Sequence, residues 1–448
     1  MRFSGNYVSM PWQFVVTLLA LLLVPIVNGD KQSVFAQERL SQPVPRSALN
    51  GAIHYQRAIL FLTAVDPAKR EVLQKPIWEI VTPATTEAEI AKLNDLLIDS
   101  RHAIRSALVG TNQAGADFGL DIRQYMVTSL LPHNQSMVDL SRLIALVGIH
   151  RESEGKWKEA ADVYFACMRM GRHMTHQTTL AEAYAGVEIL ETSYFSLGRW
   201  ATTCPDKELV QEAFDLLAAS TYDMVQPART MQSEASILKM RMEALREAYP
   251  DGPWAEIVLE ALGADYPSAG PEDLRTAARA AAIEHGVPES AFDNKQSFLK
   301  YLDDLSSNYV EMANETALCL TQSAPDAIRD GEAVARKYQE KLTRSKNTDN
   351  WEPAKIASLF AVHEAELTVL RVTLAIAAEK SATRYPDDLA KVADQFGGKL
   401  PVSPYDGSPL SYDVSEDGKD FSLGVAAVTV GSIELPAIKF GLLQNESK

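Results

Sequence analysis

The sequence predicts a mainly α fold: antiparallel helical hairpins, repeat-like in one place, followed by a small C-terminal α+β module. Three observations predict it. Apolar residues recur at helical spacing through most of residues 45–350. Turn signals such as Cys-Pro-Asp-Lys-Glu (204–208) and His-Gly-Val-Pro-Glu-Ser (285–290) punctuate that pattern. Near residue 400 the chain changes character, and Pro, Gly and Asp are spaced as turns with short alternating runs between them.

The 448 residues suffice for two or three domains with a sizeable core. The organisation reads as an N-terminal leader (1–36), a helical body (45–350), and a long helix with a small antiparallel sheet (351–448). Residues 14–27, Phe-Val-Val-Thr-Leu-Leu-Ala-Leu-Leu-Leu-Val-Pro-Ile-Val, follow Arg2. The run is short for a spanning helix, which needs about 20 residues, and fits a signal-peptide core. Small residues suggest cleavage after Ala36 or Gly29; an uncleaved anchor is the alternative. Either way the expected location is the periplasm or cell envelope. A net charge of −16, spread along the chain, argues against nucleic acid or an anionic membrane surface as partner.

In the body, Thr86 and Glu89 read as a capping box opening a helix over 86–109. Further helices are expected over 48–65, 136–152, 156–173, 178–200, 206–219, 223–248, 253–262, 271–285 and 296–320. Residues 321–350 read as a solvated helix and a linker. One stretch, 141–173, carries Gly148, Ala160 and Cys167 as small residues, with Tyr164 between them and Gly155 at the bend. Small residues let two antiparallel helices approach while Tyr164 fills the groove. The stretch resembles one tetratricopeptide hairpin, without a second copy at that period.

A long helix is expected from Pro353, a favoured early-helix residue. Ile356, Leu359, Phe360, His363, Leu367, Leu370, Leu374 and Ala378 form its main stripe. Val362, Val369, Val372 and Ile376 make its flanks apolar too, so it should lie between two layers. Then come Arg-Tyr-Pro-Asp-Asp-Leu (384–389), Pro-Val-Ser-Pro-Tyr-Asp-Gly-Ser-Pro-Leu-Ser-Tyr (401–412) and Asp-Phe-Ser-Leu-Gly (420–424). Asp406-Gly407 should make a tight turn, and Ser415–Gly418 should close a hairpin. Leu410, Tyr412, Phe421 and Leu423 alternate with polar residues and should bury against Leu367, Leu370 and Leu374.

This segment, about 355–425, resembles the C-terminal half of type II secretion pseudopilins, a cassette that also ends many exported bacterial proteins with helical bodies. The resemblance implies a helix-plus-sheet module and, in some members, bound calcium. Ser403 stands where the family often has Asp, and the N-terminus lacks the family's cleaved helix and its Glu. The residues that would hold calcium here are Asp413, Ser415, Asp417 and Asp420, with Gly418 permitting the turn. Gly424 occupies the twelfth loop position, where a calcium loop carries Glu.

Other chemistry-bearing residues read mostly as structural. His173 and His176 are three apart, with Glu182, Glu188 and Glu191 following, but His173–Thr179 reads as a junction between two helices. His363 lies in an apolar stripe and lacks the second His of a zincin. Cys167, Cys204 and Cys319 have no CxxC spacing; at most one disulfide can form, and buried thiols are the plainer expectation. No nucleophile elbow, Walker loop or dinucleotide fingerprint occurs. Two function classes follow. One is an exported non-enzymatic scaffold that binds a protein through its helical body. The other is an exported hydrolase whose acidic residues converge only in three dimensions; a polar pocket with two carboxylates would favour it. A calcium-stabilised, secretion-associated role is a further alternative.

Overall fold

Local sequence explains how the helices begin and end. Asn50 caps the first by accepting from Ala52 N. Thr179 and Glu182 form a full capping box at the start of the eighth. Pro353 occupies the first turn of the last, where its missing N–H is no loss. The computed structural model describes residues 50–81, 87–119, 131–220, 224–248, 288–338, 352–381 and 384–441, with 276, 279, 280, 283 and 341. The leader, the helix expected over 253–262, most of that over 271–285 and the 342–351 linker lie outside the described residues.

The fold is mainly α with a small C-terminal antiparallel sheet. In chain order the helices are α1 (Gly51–Thr63), α2 (Pro67–Arg70), α3 (Ile77–Ile80), α4 (Glu87–Asp99), α5 (Arg101–Thr111), α6 (Pro132–Ser153), α7 (Trp157–Thr175), α8 (Leu180–Thr203), α9 (Lys207–Ser220), α10 (Pro227–Ala248), α11 (Lys295–Cys319), α12 (Ala324–Tyr338) and α13 (Pro353–Ala378). The strands are β1 (Ser411–Val414), β2 (Phe421–Val425), β3 (Val428–Val430), β4 (Ile433–Leu435) and β5 (Ile438–Gly441). Pairs pack as α1 with α5, α6 with α7, α7 with α8, α10 with α11, and α12 with α13. Among the described residues no helix is long and apolar enough to cross a membrane.

The helix expected over 86–109 is two helices. The chain bends at Ser100, where ψ is 5°. The halves then face different partners, α5 against α1 and α4 against α6. The 321–350 stretch is also less solvated than its composition suggests, because Ala327, Ile328, Gly331, Val334 and Tyr338 bury one face of α12.

Among the described residues two large apolar cores stand out, beside smaller clusters such as the one that joins Leu180, Met231, Ala313 and Ile356. The first surrounds Tyr55, Leu140, Met137 and Met170 and joins α1 to α8. The second runs from Ala160 on α7 to Phe440 on β5, so the long helix and the sheet share their core with α7, α8 and α9. α13 is buried on nearly every face, between α8, α9 and α12 on one side and β2, β4 and β5 on the other. Leu410, Phe421 and Leu423 are buried in that core with Leu370 and Leu374, and Leu367 and Tyr412 pack against it.

β1 and β2 form the expected hairpin, with Tyr412 opposite Leu423 and Asp413 opposite Ser422. β5 adds antiparallel to β2, making the order β1-β2-β5, and β3 pairs with β4 in a separate hairpin. Gly407 closes its turn with φ +74°. The sheet seats on α8 at Gly198, where a Cβ would stand 2.5 Å from the Phe440 ring. Tyr385 fixes the other edge, donating to Thr202 O at 3.1 Å.

Candidate functional site

The structure sends the sequence's site candidates to separate partners. His173 lies on the last turn of α7 and His176 is its C-cap. His173 Nδ1 is bonded to the Tyr55 hydroxyl at 2.8 Å, and burial, then Arg172, lowers its pKa to about 4. Glu182 is held by Thr179 and lies 3.1 Å from His133 Nε2. Glu188 accepts from Arg142 at 2.5 Å, and Arg142 also donates to Leu73 O. Cys167, Cys204 and Cys319 are free thiols. Cys167 is wholly buried, its Sγ 3.7 Å from Ser141 O and 3.9 Å from Ile189 O, and burial pushes the thiol pKa up.

The calcium candidates occupy the β1–β2 turn. Asp413 is in β1, and Asp417 and Asp420 flank Gly418 and Lys419. Ser415 Oγ donates to Asp417 Oδ1 at 2.8 Å, and Asp417 also accepts from Lys419 N. Those two bonds, backbone first, with the Lys419 ammonium at 3.2 Å, lower the Asp417 pKa to about 2. Asp420 N donates to Ser415 Oγ. The loop thus closes by its own hydrogen bonds, as an exposed polar hairpin end. Among the described residues no three His, Cys, Asp or Glu side chains are arranged to hold a metal.

Two features were not foreseen from the sequence. The first is an open groove of about 440 Å³ where α4, α5 and α6 meet. Leu97, Ile104, Leu108 and Val147 make its floor, and Arg101, Arg105 and Arg151 stand on its rim. Arg151 is paired with Glu154 at 2.9 Å and Glu159 at 3.4 Å. Arg101 bonds the Ile98 carbonyl at 3.3 Å, and neither it nor Arg105 pairs with a carboxylate among the described residues. Arg101 and Arg105 are one helical turn apart, so both heads project along the same edge. The signal was hidden because the floor is assembled from three helices.

The second is a sealed polar cluster. Tyr194 of α8 lies beside His363 of α13, and the charges of Glu191 and Glu366 act on Tyr194, and that of Glu366 on Tyr405 in the loop before β1. The Tyr194 and His363 rings lie 5.5 Å apart between centroids. Glu191 is 8% exposed and Glu366 6%. Burial, then the charge of Glu191, raises the Glu366 pKa well above the usual carboxyl range. Burial lowers that of His363 to about 4. The signal for this cluster was a carboxylate at 366 among the apolar residues of α13, but its partner on α8 is far away in sequence.

Comparison with known protein families, with characterised proteins and with solved structures finds no match. The likenesses to pseudopilins and to a tetratricopeptide hairpin therefore stand on the residues quoted above alone.

Proposed function

We infer that the chain is an exported, non-enzymatic helical scaffold that docks a protein partner in the groove between α4, α5 and α6. The partner segment is an amphipathic helix with an apolar stripe flanked by Asp or Glu. The observation that carries this reading is the pairing of an apolar floor with Arg101 and Arg105, two arginines that pair with no carboxylate among the described residues, in a chain of net charge −16. A helix laid in such a groove buries its stripe against Leu97, Ile104, Leu108 and Val147. Flanking carboxylates meet the arginines, which set orientation and speed encounter more than they add affinity. From Arg101 to Asn112 the rim runs about 16 Å, three turns of a bound helix.

The hydrolase reading is weaker on the same geometry. Glu366, whose carboxyl feels the charge of Glu191, lies in the interior rather than in the open groove, as Glu191 does. The leader at 14–27 supports export, and the C-terminal module supports the body by covering α13.

Fluorescence anisotropy with a labelled amphipathic helix of about 16 residues tests the reading, using Leu on one face and Glu on its flanks. The expected result is saturable binding that weakens between low and moderate salt. Equal binding of an otherwise identical peptide with Gln in place of Glu would contradict it, as would no binding of the Glu peptide.

A further inference from the structure

The groove fits a helix with an apolar stripe and carboxylates one turn apart, and the chain itself carries such a segment. Residues 253–262, Pro-Trp-Ala-Glu-Ile-Val-Leu-Glu-Ala-Leu, lie outside the described residues, between α10 and α11. Their spacing predicts a short helix: Pro253 suits a first turn, and Gly263 suits the position just past a last one. On that period Trp254, Ile257, Val258 and Ala261 share one face. Glu256 and Glu260 stand one turn apart in a row beside Ile257. Arg101 and Arg105 have the same spacing along one edge of the groove. Ten helical residues run about 15 Å, close to the length of the rim. Two other stretches outside the described residues do not match. The leader has no Asp or Glu from Phe3 to Gly29, and the linker 342–351 has no apolar stripe.

We propose that residues 253–262 of a second copy of the chain occupy the groove, and that two copies exchange these segments to form a dimer; this rests on the docking reading above. Trp254 is the apolar anchor on the floor of Leu97, Ile104 and Leu108, and Glu256 and Glu260 meet Arg101 and Arg105. Each copy offers a groove and a segment, so reciprocal exchange closes on two-fold symmetry and buries the short helix twice. A net charge of −16 on each copy opposes general association, so pairing depends on an acidic segment reaching a basic rim.

A second copy, rather than the same one, is favoured by where the segment is tethered. α10 leads into it and is anchored at the start of α8, where Glu234 accepts from Leu180 N. Glu182, two residues on, meets His133 in the first turn of α6. The groove touches Val147, His150 and Arg151 towards the other end of α6. Residues 249–252, which join α10 to the segment, span at most about 14 Å. A second copy meets no such limit.

Sedimentation of the full chain tests the exchange, together with fluorescence anisotropy on a labelled peptide of residues 250–264. The wild type should form a dimer that weakens as salt rises, and the peptide should bind it saturably. Glu256→Lys/Glu260→Lys and Arg101→Glu/Arg105→Glu should each dimerise about tenfold more weakly. An equal mixture of the two variants should restore the dimer, because each segment then meets a groove of opposite charge. A wild type still monomeric at about 100 µM, an unchanged dimer in either variant, or a mixture no stronger than its parts would overturn the proposal. Association through the apolar leader would give such an unchanged dimer. If the 250–264 peptide does not bind while the designed Glu-flanked helix does, the proposal is overturned and the docking reading stands; if neither binds, both are overturned. Should a variant not fold, the wild-type association state and the peptide decide the matter.

Discussion

Gly148 of α6 lies against the ring of Tyr164 on α7, so closely that a Cβ at 148 would stand 2.2 Å from Tyr164 Cε1. Tyr164 cannot swing away. It is fully buried, and its hydroxyl donates to Glu152 beside Arg199. Gly148→Ala gains about 1 kcal/mol of helix propensity, but overpacking at a rigid site costs about 1–3 kcal/mol. The contact is tight enough to place the cost at the upper end, and a net loss of about 1–2 kcal/mol is expected in urea denaturation. A stabilised Gly148→Ala protein would show that the two helices are free to separate.

Ala160 provides a second probe of the same hairpin. It is wholly buried in the core shared by α7, α8 and α13. Ala160→Leu should destabilise by about 1–3 kcal/mol through overpacking. Unchanged melting would mean that α7 does not pack as described.

Glu152 carries the polar half of the contact. It accepts from Tyr164 and Arg199, and its side chain is 6% exposed while that of Arg199 is 26% exposed. Glu152→Ala strands the arginine and the tyrosine hydroxyl together. Loss of one partner of a buried pair costs about 3–5 kcal/mol, and the partial exposure of Arg199 places the expectation near 3. The double variant Glu152→Ala/Arg199→Met should recover part of that loss. A double variant less stable than Glu152→Ala would remove the account of a stranded cation.

His173 makes the body sensitive to acid. Its folded pKa is about 4, below the unfolded value of about 6.5, because burial favours the neutral ring bonded to Tyr55. Its contribution is complete above pH 6.5 and lost as pH falls towards 4, by up to about 3 kcal/mol. His173→Gln should be the less stable protein at pH 7 yet lose less than the wild type between pH 7 and 4.5. Parallel stability curves would mean that His173 does not remain neutral in the fold.

The β1–β2 turn separates a structural hairpin from a metal loop. Ser415, Asp417, Lys419 and Asp420 already bond one another. Calcium should therefore leave the melting temperature unchanged up to millimolar concentration. A rise that Asp417→Ala abolishes would make the loop a calcium site and the hairpin bonds secondary.

Some of this architecture was legible because the sequence repeats one signal many times. α13 declared itself as a buried layer through its stripe and both flanks, and it is covered on both sides. The β1–β2 hairpin was legible because alternation at Tyr412, Phe421 and Leu423 brackets Asp417-Gly418. β3 to β5 were not foreseen. Their runs, Ile433-x-Leu435 and Ile438-x-Phe440, do alternate, but each strand is only three or four residues long and takes its partner from the sheet. Ser100 gave no glycine or proline to mark the bend between α4 and α5. Long-range polar contacts were invisible for a different reason. Tyr55 and His173 are 118 residues apart, and nothing local in either segment requires the other. The groove and the Tyr194–His363 contact share that property, since each exists only where separate helices meet.

The docking role of the groove is tested most directly by reversing its charge. Arg101→Glu/Arg105→Glu changes two exposed side chains and should leave melting within about 0.5 kcal/mol of the wild type. Binding of the Glu-flanked helix should weaken by about tenfold. The same helix with Lys in place of Glu should bind the variant better than the wild type. A variant that binds both peptides as the wild type does would contradict the assignment of this groove to an acidic helical partner.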